Sequence, residues 1–181
     1  MPFVSATCHV LITLVLAAAV VGKARDTASF TAFTDAVAVL GRVPVRRAGA
    51  LAAVIITLEA VTVLLLATPW FRGVGLLSAT GLLTAFTYAV ARALRSGKPV
   101  FCRCFGTSAG LVGPLQLVRN AVLLVAVTAA VPGVLDPGHL SWQAHFAAWL
   151  SGAAAALVLA VGDELASLLR PGPDARITEN S

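Results

Sequence analysis

Charge is what this 181-residue sequence has least of: Asp, Glu, Lys and Arg together make up 12% of it. A water-soluble domain carries about 25% charged residues, so a soluble globular fold is excluded. Hydrophobic residues reach 59% and the mean hydropathy is +0.92, which places the chain among small polytopic helical membrane proteins. Aromatics are few, at 7%, and there is no basic run. The net charge of +5 therefore does not mark a nucleic-acid surface. The basic residues flank apolar segments, where topology signals sit. Three cysteines are too few for a disulfide framework and allow one pair plus one spare. With only three histidines, all scattered, the four ligands of a zinc site are hard to assemble, and no metal is expected. No Lys or Arg precedes the first apolar run, so the basic n-region of a signal peptide is missing. That run is read as a membrane helix that stays.

Five segments have the roughly 20 apolar residues that a bilayer crossing needs. They are residues 3–22, the stretch between Arg47 and Arg72, residues 73–91, residues 115–131 up to Pro132-Gly133, and residues 140–162. The expected fold is all-α: a polytopic bundle with a four-helix core and a fifth, C-terminal transmembrane helix. One membrane domain covers residues 1–170, and the polar, Pro/Gly-containing tail 171–181 is expected to be disordered. Between the first two spans, Phe30, Phe33, Val37 and Leu40 recur at helical spacing. They predict a short amphipathic helix, capped by Thr27 or Ser29. It reads as an interfacial helix on the membrane surface or, alternatively, as a lid packed over the bundle.

Lys and Arg alternate between connections. The first holds Lys23, Arg25, Arg42, Arg46 and Arg47, and the second only Arg72. The third holds Arg92, Arg95, Lys98 and Arg103; the fourth, "PGVLDPGHLS", holds none. The positive-inside rule then puts the amino terminus outside and the carboxyl terminus inside, with the third connection cytoplasmic.

That connection carries the densest chemistry, "GKPVFCRCFGTSAG". A thiolate is the reactive form of cysteine, and the cations of Arg103 and Lys98 favour it at Cys102 and Cys104. Gly97, Pro99 and Gly106 suit a loop without regular structure. A disulfide across one intervening residue closes a small, strained ring, and strained disulfides are labile and oxidising. The pair reads as a redox couple or as two unrelated loop cysteines. Cys8, inside the first span, reads as a small hydrophobe. His9 reads as a helix-packing histidine or a quinone-facing donor. Glu59 lies at membrane depth, where an ionisable group costs about 2.5–3.5 kcal/mol and calls for a partner. Lys23, Arg119 and Asn120 are the candidates. The group either handles protons or substrate, or forms a structural interhelical pair.

The blocks "VVGKARDTASFTAF", "LEAVTVLLL", "LRSGKPVFCRCFG" and "LQLVRNAVLLV" resemble the MauE family, related to the broader DoxX-like membrane proteins. The resemblance covers about residues 5–131, and its most specific part is the Cys-x-Cys-Phe-Gly block followed by Arg119-Asn120. It implies a redox-associated protein of a bacterial plasma membrane, working beside a thioredoxin-like partner to mature an exported, disulfide-containing client. In the family that client is the small subunit of methylamine dehydrogenase. On this reading Cys102 and Cys104 exchange disulfides and Arg103 tunes them, while Glu59, Lys23, Arg119 and Asn120 form the supporting polar interior. No cofactor is required; a quinone would share the membrane as electron acceptor or donor, but no residue demands one. The competing reading is a non-enzymatic assembly or transport factor with structural cysteines.

Overall fold

The computed structural model describes residues 1–95, 101–102, 110–111, 114–136 and 138–168, with side chains described for 1–95, 115–136 and 138–162. Residues 103–109, including Arg103 and Cys104, lie outside the described residues, as do Lys98 and the tail 169–181.

The first helix, α1, runs Pro2–Ala24, opening on a proline at its first position, where the missing N–H has no intrahelical partner to lose. A tight turn leads into α2, Thr27–Gly41. Asp26 caps α2, not Thr27 or Ser29: its backbone is extended and its Oδ1 accepts the Ser29 N–H at 2.7 Å. The carboxylate of the residue one place earlier reaches the third helical N–H, the position that a cap satisfies. Arg25 Nε donates to its other oxygen at 2.8 Å. Held by these two donors, Asp26 is lowered to a pKa of about 2. The helix ends at Arg42, whose left-handed backbone (φ 52°) returns its N–H to the carbonyls of Ala38 and Val39.

Helix α3, Val45–Ala67, and α4, Arg72–Arg95, form an antiparallel hairpin joined by the 3-10 turn Pro69–Phe71. Thr62 Oγ1 and Ser78 Oγ, 2.6 Å apart, tie its two arms together. After α4 come two-residue strands, β1 (Phe101–Cys102) and β2 (Gly110–Leu111), paired antiparallel with Cys102 opposite Gly110. The connection was expected to lack regular structure; this short ladder is the one pair of strands among the described residues. Helix α5, Pro114–Ala130, breaks at Val131 and resumes as the single turn α6, Pro132–Leu135. Ser5 of α1 fastens that break, donating to Ala130 O at 2.7 Å while accepting from Gly133 N at 2.8 Å. The last helix, α7, is Trp142–Leu168.

Five helical segments among the described residues are long and apolar enough to cross a membrane, with α5 and α6 counted together. They match the five expected spans. Helix α1 is the hub: it packs against α3, α5 and α7. Ile12, Val15 and Leu16 meet Leu66, Leu83 and Leu123 in the main core. The opposite faces carry bare aliphatics such as Leu77, Val125 and Val158, at 75%, 67% and 70% exposure. Lipid is the solvent that tolerates such a surface. In lipid, packing replaces hydrophobic driving force, and small residues let helices close up. Gly152 does this for α7: a Cβ there would sit 2.7 Å from the Thr7 carbonyl and 2.8 Å from Val10 Cβ.

Helix α2 stands at the expected place, and its apolar face is turned onto the bundle. Phe33, Ala36 and Val37 are buried, packing on Ala52 of α3 and on Val90 and Ala93 of α4. The short amphipathic helix expected between the first two spans is there, and its apolar face packs on α3 and α4 as the lid reading describes. Periodicity specifies an apolar stripe but not whether lipid or protein covers it.

Candidate functional site

The site starts from a lysine in an unusual orientation. Lys23 sits in the last turn of α1, where a lysine normally snorkels out to the interface. Here it is 2% exposed. A helical side chain leaves its backbone tilted toward the helix N-terminus, which for Lys23 means back into the bundle. Glu59, on antiparallel α3, tilts the other way. The two meet: Lys23 Nζ donates to Glu59 Oε1 as a buried ion pair. Glu59 itself is 1% exposed.

The cation is further held between two rings. Nζ lies 4.8 Å from the ring centre of Phe33 on α2 and 4.9 Å from that of Phe86 on α4. Aromatic faces attract a cation, more strongly where water is excluded. Helix α2 thus closes the site from one side and supplies part of its electrostatics. The second carboxylate oxygen, Oε2, is buried and has no hydrogen-bond partner among the described residues.

A cavity of about 50 Å³ opens beside the pair, lined by Lys23, Glu59, Phe86, Gln116, Arg119 and Asn120 among others. A water needs about 10–15 Å³ by this measure together with polar partners, so the cavity has both the size and the lining for water. Arg119 and Asn120, in the early turns of α5, are buried at 9% and 5% exposure. Five polar residues from three stretches of the chain therefore line one small cavity, with a buried carboxylate and an ammonium paired at its edge.

The strand carrying Cys102 lies at this same end. It follows α4, precedes α5, and packs near α2. The backbone of Cys102 is thereby placed; its partner Cys104 and the intervening Arg103 are outside the described residues. Two other sequence candidates fall elsewhere. Cys8 is a free, half-buried thiol packed on the main core. His9 Nε2 lies 2.9 Å from the Leu66 carbonyl, satisfying one of the last carbonyls of α3. No group of three or more metal-ligating side chains exists among the described residues.

Phe33 and Phe86 were missed as site residues. Phe33 belonged to the apolar stripe of α2, and nothing in a stripe announces a cation beneath it. Phe86 carried no signal at all.

A family model described as methylamine utilisation protein MauE matches residues 1–134. Nothing among curated proteins or solved structures matches. The matched region ends within α6, so α7 lies beyond it.

Proposed function

The chain belongs to the MauE family, and from that premise we propose that it is a membrane thiol–disulfide relay for the maturation of an exported protein. Cys102 and Cys104 are the redox pair, and Arg103 favours their thiolates. In the exchange, the thiolate of one cysteine attacks a partner's disulfide, forming a mixed disulfide and releasing a partner thiolate. The second cysteine then displaces the partner. Two electrons pass to the partner sulfurs, and the two protons of the cysteine thiols pass to the partner thiolates, so the exchange moves protons between the two pairs of sulfurs.

The observation that supports this reading is the buried Lys23–Glu59 pair at the end of the bundle from which the Cys102 strand emerges. Proton movement beside a thiol couple is a use for an ionisable pair at membrane depth. Arg119 and Asn120, lining the same cavity, fix its polarity. The partner fits the description of a thioredoxin-like protein and the client that of an exported, disulfide-containing one. The exchange itself requires no cofactor; a quinone shares the bilayer and could take or give the electrons, though no residue here demands one.

The test is a thiol-alkylation gel shift on the full-length protein before and after a thioredoxin-type reductant. A relay shows a two-thiol shift, and Cys104→Ser traps a mixed disulfide through Cys102. Unchanged client maturation in the Cys102→Ser/Cys104→Ser variant sinks the relay and leaves an assembly factor. An impermeant thiol reagent, applied to intact cells, decides the side: labelling of Cys102 from outside overturns the cytoplasmic assignment made from charge.

A further inference from the structure

At the end of the bundle opposite Lys23 and Glu59, a pocket of about 230 Å³ lies among α1, α4 and α7. Its apolar wall includes Val10 and Leu14; its polar lining is His9, Thr13, Arg72, His145 and Trp149. His9 is engaged with the Leu66 carbonyl, and Thr13 Oγ1 donates to the His9 carbonyl at 2.8 Å. That leaves Arg72, His145 and Trp149. None of the three makes a side-chain hydrogen bond or ion pair among the described residues.

All three are donors. A guanidinium and an indole offer N–H groups only, and an imidazole offers at least one. His145 and Trp149 stand four residues apart on α7, so they share one face of that helix and both turn toward Arg72. No carboxylate lines the pocket. Arg72 is also the only Lys or Arg in the two connections at this end of the bundle. A cation retained where other cations are absent, joined by two more N–H donors and no carboxylate, is set to meet an anionic acceptor from outside the chain.

The level in the membrane narrows the ligand. All three tryptophans of the chain, Trp70, Trp142 and Trp149, lie at this end and are exposed at 91%, 75% and 58%. Exposed Trp marks the headgroup level. The phosphates of lipid head groups lie at that level, and Arg reads a phosphate with two parallel N–H bonds. We propose that this pocket is a binding site for the phosphate of an anionic phospholipid, with Arg72 as its main anchor and His145 and Trp149 as further donors. The site depends on α7, which brings two of the three donors and lies beyond the family-matched residues. It is independent of the thiol chemistry.

The experiment titrates the purified full chain in detergent with short-chain phosphatidylglycerol. Binding is read by the thermal midpoint and by quenching of Trp149 by a brominated phosphatidylglycerol in a Trp70→Phe/Trp142→Phe background. Saturable stabilisation and quenching are expected. Arg72→Gln should weaken apparent affinity about tenfold, as loss of a charge-assisted pair does. Arg72→Lys should fall between, keeping charge without the fork. His145→Phe should weaken binding several-fold. Equal affinity in Arg72→Gln and wild type overturns the site. Inorganic phosphate protecting as well as the lipid overturns the lipid assignment in favour of a soluble anion. Should Arg72→Gln fail to fold, His145→Phe decides alone: unchanged affinity overturns the proposal.

Discussion

The two ends of this bundle handle charge in opposite ways. At the α2 end, Lys23 is turned inward, paired with Glu59, faced by two phenylalanine rings and covered by a helix. At the other end, Arg72 lies exposed in a pocket without a carboxylate. The first arrangement satisfies its cation within the protein and leaves a carboxylate oxygen over. The second leaves its donors to something outside the protein. A buried pair is sensitive to loss of either member, because the survivor stays charged in a dry place. An exposed cation is not, because water and lipid phosphates replace what is lost. The contrast makes the α2 end a candidate for internal proton chemistry and the other end a candidate for binding.

The sharpest way to break this contrast is Lys23→Met. It strands Glu59, and a loss of about 3–5 kcal/mol in stability is expected. Lys23→Met/Glu59→Leu should recover most of that loss, because both charges are gone. Reversible unfolding in mixed micelles measures both. Arg72→Gln in the same assay, without added lipid, should cost little. If Lys23→Met costs no more than Arg72→Gln, the two ends do not differ as described.

Gly152→Val comes next. A side chain there meets the Thr7 backbone, and overpacking of this kind costs about 1–3 kcal/mol. It should push α7 off α1 and abolish lipid-phosphate binding at Arg72, while leaving the Lys23–Glu59 end protected from hydrogen exchange. Loss of protection at both ends would show that they are one cooperative unit.

Phe33→Leu and Phe86→Leu should each cost about 0.5–2 kcal/mol beyond the change in packing. A double-mutant cycle with Lys23→Met separates the two contributions: the cost attributable to the cation should vanish once the cation is gone.

The smallest effect concerns the α2 cap. Asp26 is depressed from its ordinary 3.8 to about 2 by the Ser29 N–H and the Arg25 guanidinium. A depressed carboxylate contributes fully above its unfolded pKa and loses its contribution as pH falls. The cap should therefore hold above about pH 4 and weaken as pH drops through about 2. The protection factor of the Ser29 amide, its exchange rate relative to the intrinsic rate at each pH, should fall toward low pH across that window. Asp26→Asn should remove the pH dependence while keeping the cap, since Asn caps nearly as well. The Lys23–Glu59 pair, which α2 covers, makes exposure of this site the observable that links cap to chemistry.

Much of this was legible along the chain. Five apolar runs of spanning length had no fold to adopt in lipid other than a helix, because every backbone polar group must be satisfied within its own segment. The period-3.6 stripe at Phe30, Phe33 and Val37 located α2. Glu59 stood out because a carboxylate at membrane depth needs an explanation. The cap was misplaced by one residue or more, because Asp26, Thr27 and Ser29 all have capping side chains and only backbone geometry chooses among them.

The sequence by itself determined how many times this chain crosses a membrane and which few polar residues had to be accounted for, since both follow from the cost of placing charge and bare backbone in hydrocarbon. Tertiary structure alone decided who meets whom. Lys23 and Glu59 are 36 residues apart, and they pair because two antiparallel helices stand in one register and tilt their side chains toward each other. Arg72, His145 and Trp149 share a pocket because Gly152 lets α7 lie close against α1. Periodicity gives each helix a face; only packing gives that face a neighbour.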